Sequence, residues 1–135
     1  MILDIDRLHY VIDNMPVNQR GVGNTTSILY QMIGECQLGD DNNTYLYIGI
    51  NYNNITQVVD QFVNLLREEV FDLFHTRSSA HKIVLKNGQQ YIFQTISNAT
   101  YSIRGLHFSD VWIDLDAETR EVHSEKIDEI LSRVR

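Results

Sequence analysis

Residues 18–27 read NQRGVGNTTS, and their types suit phosphate. In the pattern G-x-x-x-x-G-K-[ST], glycines let the backbone fold tightly enough to turn its N–H groups onto phosphate oxygens. The helix that follows adds its positive end. A lysine reaches the outer phosphates, and the next Ser or Thr hydroxyl ligates magnesium. Gly21, Gly23, Thr25 and Thr26 stand in these places, while Asn18 replaces the first glycine and Asn24 the lysine. The candidate nucleotide contacts are therefore Arg20, Gly21, Val22, Gly23, Asn24, Thr25 and Thr26. Losing the ammonium group removes a charge-assisted contact of roughly 1.5–3 kcal/mol, and more where charge develops during transfer. Arg20 is close by but occupies a different loop position. The same residues also suit a plain glycine-rich turn before a threonine-capped helix, and the loop alone does not choose.

A second chemical element lies downstream, in DVWIDLDAE (residues 110–118). An apolar strand that ends in acid can present one carboxylate to a magnesium shell and a second to an attacking water. Asp114, Asp116 and Glu118 are the candidate catalytic acids. Thr25 and Asp114 are the candidate metal contacts. The rival reading of Asp114 and Asp116 is a solvated strand end before a helix cap. The five histidines are scattered without metal-ligand spacing, and no G-x-S-x-G elbow supports a hydrolase triad.

These residues need a scaffold. Leu3, Ile5, Leu8, Val11 and Ile12 recur at roughly helical spacing, and Pro16 ends that run. Thr25 to Gln37 reads as a helix with Ile28, Leu29, Met32, Ile33 and Cys36 on one stripe. TYLYIGI, residues 44–50, has the near-continuous apolar character of a strand buried on both faces. Asn53 or Asn54 can cap a helix over 55–74. The runs at 83–85 and 91–93 flank Asn87-Gly88, a strong hairpin signal. Residues 110–115 read as a strand. The tail from Glu118 reads as a helix with Val122, Ile127, Ile130, Leu131 and Val134 as its core positions.

The order of these parts resembles the ATPase domain of viral terminase large subunits, the motors that pump DNA into capsids. That family typically shows R-x-x-G-K-T-T, a strand pair around N-G, then R-G-x-x-x-D before an apolar strand ending in D-E. This chain has RGVGNTT, LKNGQQYIF and RGLHFSDVWIDLDAE in the same order, across roughly residues 17–120. The resemblance implies an α/β fold: a three-layer P-loop NTPase-like domain over residues 1–135. It would have a short, mainly parallel sheet with an added β-hairpin and helices on both faces. It also implies ATP and Mg2+ as cofactors, with Thr25 touching the metal and Asp114 holding it through water. Leu115 falls where the family carries its catalytic glutamate, and Asn24 where it carries its lysine. The resemblance therefore implies weak nucleotide binding and slow or lost hydrolysis. A second reading keeps the motor fold in a non-catalytic regulator that docks on a phage packaging protein or a host protein. A third makes the chain a piece of a longer motor.

Composition bounds these readings. The chain has 135 residues, 43% hydrophobic and 21% charged, as expected of a globular domain with a sizeable core. The formal net charge of −7 disfavours direct nucleic-acid contact, leaving such contact to partners. The single cysteine, Cys36, permits no intrachain disulfide and reads as a small buried hydrophobe. No apolar run is long enough to cross a bilayer, and MILDIDRLHY lacks the pattern of an export signal. A reducing cytoplasm is the expected setting, that of the host cell if the gene is phage-borne.

Overall fold

The computed structural model describes residues 22–66, 70–76, 80–99 and 106–134. The run at helical spacing from Leu3 to Ile12, Arg20, Gly21, and Arg104 and Gly105 at the start of RGLHFSDVWIDLDAE lie outside these residues. The described chain forms α1 (Val22–Leu38), β1 (Thr44–Gly49), α2 (Tyr52–Leu65), β2 (Val70–Thr76), β3 (Ala80–Leu85), β4 (Gln90–Thr95), β5 (Asp110–Ile113), α3 (Ala117–Val122) and α4 (Ser124–Leu131).

The five strands make one sheet in the order β2-β3-β4-β1-β5. β1 runs parallel to both β4 and β5, while β2–β3 and β3–β4 are antiparallel. The sheet is thus mixed, where the resemblance implied a mainly parallel one. The hairpin does not decorate a parallel sheet; β4 itself supplies β1's parallel neighbour.

β1 lies between β4 and β5, and its alternation divides the core. Tyr45 and Tyr47 face one side, where Leu29, Met32 and Ile33 of α1 and Ile55, Val59 and Phe62 of α2 pack with Tyr91 and Phe93. Leu46 and Ile48 face the other, with Phe108, Ile113, Leu115 and, from α4, Ile127 and Ile130. Helices therefore cover both faces of an α/β sheet, as two-sided burial of a parallel trio requires. Burying each large side chain contributes roughly 1.5–3 kcal/mol. Phe62 sits within 4.9 Å of the Tyr91 ring centre and 5.9 Å of that of Phe93, so one aromatic ties α2 to two positions on β4.

The Asn-Gly turn forms as expected. Gly88 has φ 88°, a left-handed conformation that favours glycine. Its N–H donates to the Leu85 carbonyl at 2.9 Å, and the Gln89 carbonyl accepts from Leu85 N–H at 2.9 Å.

Three expectations at helix ends are corrected. α1 opens at Val22, three residues before the expected Thr25. α2 starts at Tyr52 because Asn51, not Asn53 or Asn54, is its cap, accepting from Asn54 N–H at 2.9 Å. It stops at Leu65, so the second half of the expected helix over 55–74 is the strand β2. Leu66, Val70 and Phe74 fall at helical spacing, but VFDLFHT is also rich in β-formers. The ladder with β3 decides between the two.

The tail is not one helix. It breaks at His123, whose N–H returns to the Thr119 carbonyl at 3.1 Å. The break changes which residues face inward. Ile127 and Ile130 are buried as expected, whereas Val122 and Leu131 are exposed at 74% and 46%.

Candidate functional site

Asp114 follows the last residue of β5 and extends its ladder by one bond, from Asp114 N–H to the Ile48 carbonyl at 2.9 Å. Strand alternation sends Trp112 and Asp114 to the face of β5 that carries α1, and Ile113 to the other. Asp114 is buried at 8% exposure. A carboxylate in that setting needs hydrogen bonds, because losing water without replacement is costly. It receives two, both on the same oxygen. Thr25 Oγ1 donates to Oδ2 at 2.7 Å, and the Tyr47 hydroxyl donates to Oδ2 at 2.5 Å.

Each donor is placed by a different element. Thr25 is in the first turns of α1, buried at 1% exposure. Tyr47 is in the middle of β1 with its ring against Phe93, 5.6 Å between centres. Burial, and after it the charge of Asp114, pushes the Tyr47 phenol well above its ordinary 10.0, so Tyr47 is a neutral donor. A phenol has one proton, and the short carboxylate contact takes it. Asn54 Oδ1 is 3.5 Å from the same hydroxyl, a much longer contact. Asn54 lies in the first turn of α2, so one cluster joins the start of both helices to the middle of β1 and the end of β5.

The other sequence candidates fall around this cluster in different ways. Val22, Gly23, Asn24 and Thr26 are helical, not looped: they form the opening of α1 together with Thr25. The first four amides of a helix have no intrahelical acceptor and carry its positive end. Leu115 is buried on the opposite face, with Ile127 and Ile130. The position after Asp114 therefore points away from the hydroxyl cluster. Asp116 is the N-cap of α3, its Oδ1 accepting from Thr119 N–H at 2.7 Å. Glu118 is exposed in the first turn of that helix. Arg120 turns back and holds the strand end, with Nη2 donating to the Ile113 carbonyl at 2.5 Å and Nε to the Leu115 carbonyl at 3.1 Å.

Sequence reasoning missed Tyr47 and Asn54. A tyrosine inside TYLYIGI reads as core. The available signal is that a deeply buried tyrosine, unlike phenylalanine, requires a partner for its hydroxyl. Trp112 is a core residue, stacked on Tyr45 at 5.6 Å with its indole N–H donating to Gln31 Oε1 at 2.9 Å. Cys36 is buried beside Tyr91, and burial raises its thiol to about 12, which excludes a nucleophilic thiolate at neutral pH. His81 is buried on β3 with Tyr52 stacked on it at 5.3 Å. His107 precedes β5, and β4 and β1 separate the two in the sheet.

Among the described residues, no group of three or more His, Cys, Asp or Glu could hold a metal. The oxygens of Asp114 and Thr25 do suit magnesium, which commonly takes one or two protein ligands and completes its shell with water and phosphate oxygens. Among the described residues, no helix is long and apolar enough to cross a membrane. Comparison with known protein families, characterised proteins and solved structures gave no match.

Proposed function

We propose that this chain is a P-loop-type nucleotide domain, related in design to the ATPase core of viral terminase large subunits, with weak nucleotide binding and little or no hydrolysis. One observation carries the reading. Thr25 is the hydroxyl of the phosphate-loop pattern, and Asp114 is the acid at the end of the apolar strand. They share a buried 2.7 Å hydrogen bond across 89 positions. A hydroxyl and a carboxylate on adjacent elements at a helix N-terminus suit a magnesium–phosphate ligand.

In this reading the amides opening α1 would donate to phosphate oxygens, and the oxygens of Thr25 and Asp114 would hold the metal. Bound magnesium supplies charge neutralisation on the phosphates. The chain's own departures limit turnover. Asn24 has no ammonium for the outer phosphates, and Leu115 brings a buried alkyl group where a base would polarise water. Asp116 is engaged as a helix cap.

The placement of Leu115 and Asp116 also favours a second reading, a non-catalytic binding protein that keeps the motor fold and docks on a packaging or host partner. Calorimetry with ATP and a nonhydrolysable analogue, with Mg2+, separates the two. Saturable binding that Asp114→Asn weakens supports the nucleotide domain, and no heat at millimolar ligand favours the docking protein. Gain of binding in Asn24→Lys would show that only the charge is missing. Magnesium-dependent turnover abolished by Asp114→Ala would overturn the claim of impaired hydrolysis.

A further inference from the structure

We propose that Tyr47 is a positioning residue for Asp114: its hydroxyl and that of Thr25 together hold Oδ2, so that Oδ1 is the oxygen presented to a divalent cation. The inference rests on the metal-holding role just proposed for Asp114 and adds a residue that no sequence pattern singled out.

The geometry is specific. Both short hydrogen bonds to Asp114 end on Oδ2, at 2.7 Å and 2.5 Å. Among the described residues, no hydrogen bond reaches Oδ1. Two donors on one oxygen fix rotation of the carboxylate plane, which a single donor leaves partly free. Thr25 can supply only one of them. Its hydroxyl is also the group proposed to touch the metal, through a lone pair, so Thr25 would serve two partners at once. Tyr47 is better suited to restrain Asp114. It sits on the central strand, buried at 1% exposure, with its ring held by Phe93. Its oxygen therefore has little freedom to follow Asp114 elsewhere. Hydrogen bonds that orient a ligating carboxylate are worth about 10–100-fold in metal affinity.

The buried hydroxyl of Tyr91 provides the contrast. It lies on the same face of the sheet but donates to Gln89 Oε1 and accepts from Cys36 Sγ, with no tie to Asp114. Its loss should affect folding alone.

The test uses Mn2+ without nucleotide, read by water-proton relaxation on the whole chain. Wild-type protein is expected to show a saturable site that Asp114→Asn removes. Tyr47→Phe, which keeps the ring, is expected to weaken that site about tenfold or more, and Tyr91→Phe to leave it within twofold. A second readout needs no variant: in 13C-tyrosine-labelled wild-type protein, Mg2+ should shift the Tyr47 Cζ resonance and leave that of Tyr91 in place. An unchanged Mn2+ affinity in Tyr47→Phe overturns the proposal. So does a wild-type titration indifferent to Asp114→Asn, or a Tyr47 resonance that ignores Mg2+. Because nucleotide is absent throughout, failure to bind ATP would sink the P-loop reading without deciding this one.

Discussion

Thr25 at the opening of α1 donates its hydroxyl hydrogen to Asp114 at the end of β5, at 2.7 Å and inside the protein. That single contact joins the two stretches of sequence with the most chemical character. It also ties a helix start to a strand end, so its strength can be measured as stability.

Thr25→Val keeps the side-chain shape and deletes the donor, leaving Asp114 with Tyr47 alone. The expected loss is roughly 1.5–3 kcal/mol, the range for a hydrogen bond to a charged group. A double-mutant cycle with Asp114→Asn, followed by urea unfolding, should return a coupling above about 0.5 kcal/mol. Additive losses would mean that the two groups do not act on each other.

Alkaline pH should destabilise the protein. Burial raises Cys36 from 9.0 to about 12 and Tyr45 from 10.0 to about 12, and it raises Tyr47 and Tyr91 as well. Each group keeps its proton in the fold at a pH where the unfolded chain has released it. Stability is therefore full below about pH 9 and falls as pH climbs towards 12. Cys36→Ala should flatten the decline between pH 10 and 11.5 by as much as about 1.4 kcal/mol per pH unit. Urea midpoints at a series of pH values measure the slope, and an unchanged slope in the variant would show that Cys36 is not among the groups responsible.

The hairpin turn depends on one glycine. A Cβ at position 88 would enter the left-handed region and run into the Asn42 side chain. Gly88→Ala should cost about 1–2 kcal/mol from the backbone, with the contact adding to it. A melting temperature equal to that of wild type would show that the turn adopts another conformation.

Asp116 has a definite structural duty as the cap of α3. Asp116→Ala should destabilise by about 1 kcal/mol through loss of the α3 cap, whereas Asp116→Asn, itself a good cap, should stay within about 0.5 kcal/mol. Equal losses in both variants would point to the charge instead of the cap.

Much of the scaffold can be read without coordinates. TYLYIGI reads as an interior strand, Lys86-Asn87-Gly88-Gln89 as a turn, and the stripe from Ile28 to Cys36 as a buried helix face, and each forms. The misreadings share a cause. Val70 and Phe74 satisfy a helical period and a strand composition at once, and pairing with β3 overrides the first. Val122 and Leu131 fit an inward stripe only if the tail is unbroken, and the turn at His123 breaks it. Local pattern is silent where the deciding contact is non-local.

The same division runs through the site. Residue types alone placed Thr25 near the start of a helix and Asp114 at the end of an apolar strand, with Asn24 and Leu115 where the resembled family carries a lysine and a glutamate. The tertiary structure decided that Thr25 and Asp114 meet, that Tyr47 joins them on the same oxygen, and that Leu115 turns to the opposite face. Propensity and periodicity act over a few residues and can be read in order along the chain. A hydrogen bond across 67 or 89 positions depends on which strands become neighbours. That choice is made by the whole sheet, when β1 settles between β4 and β5.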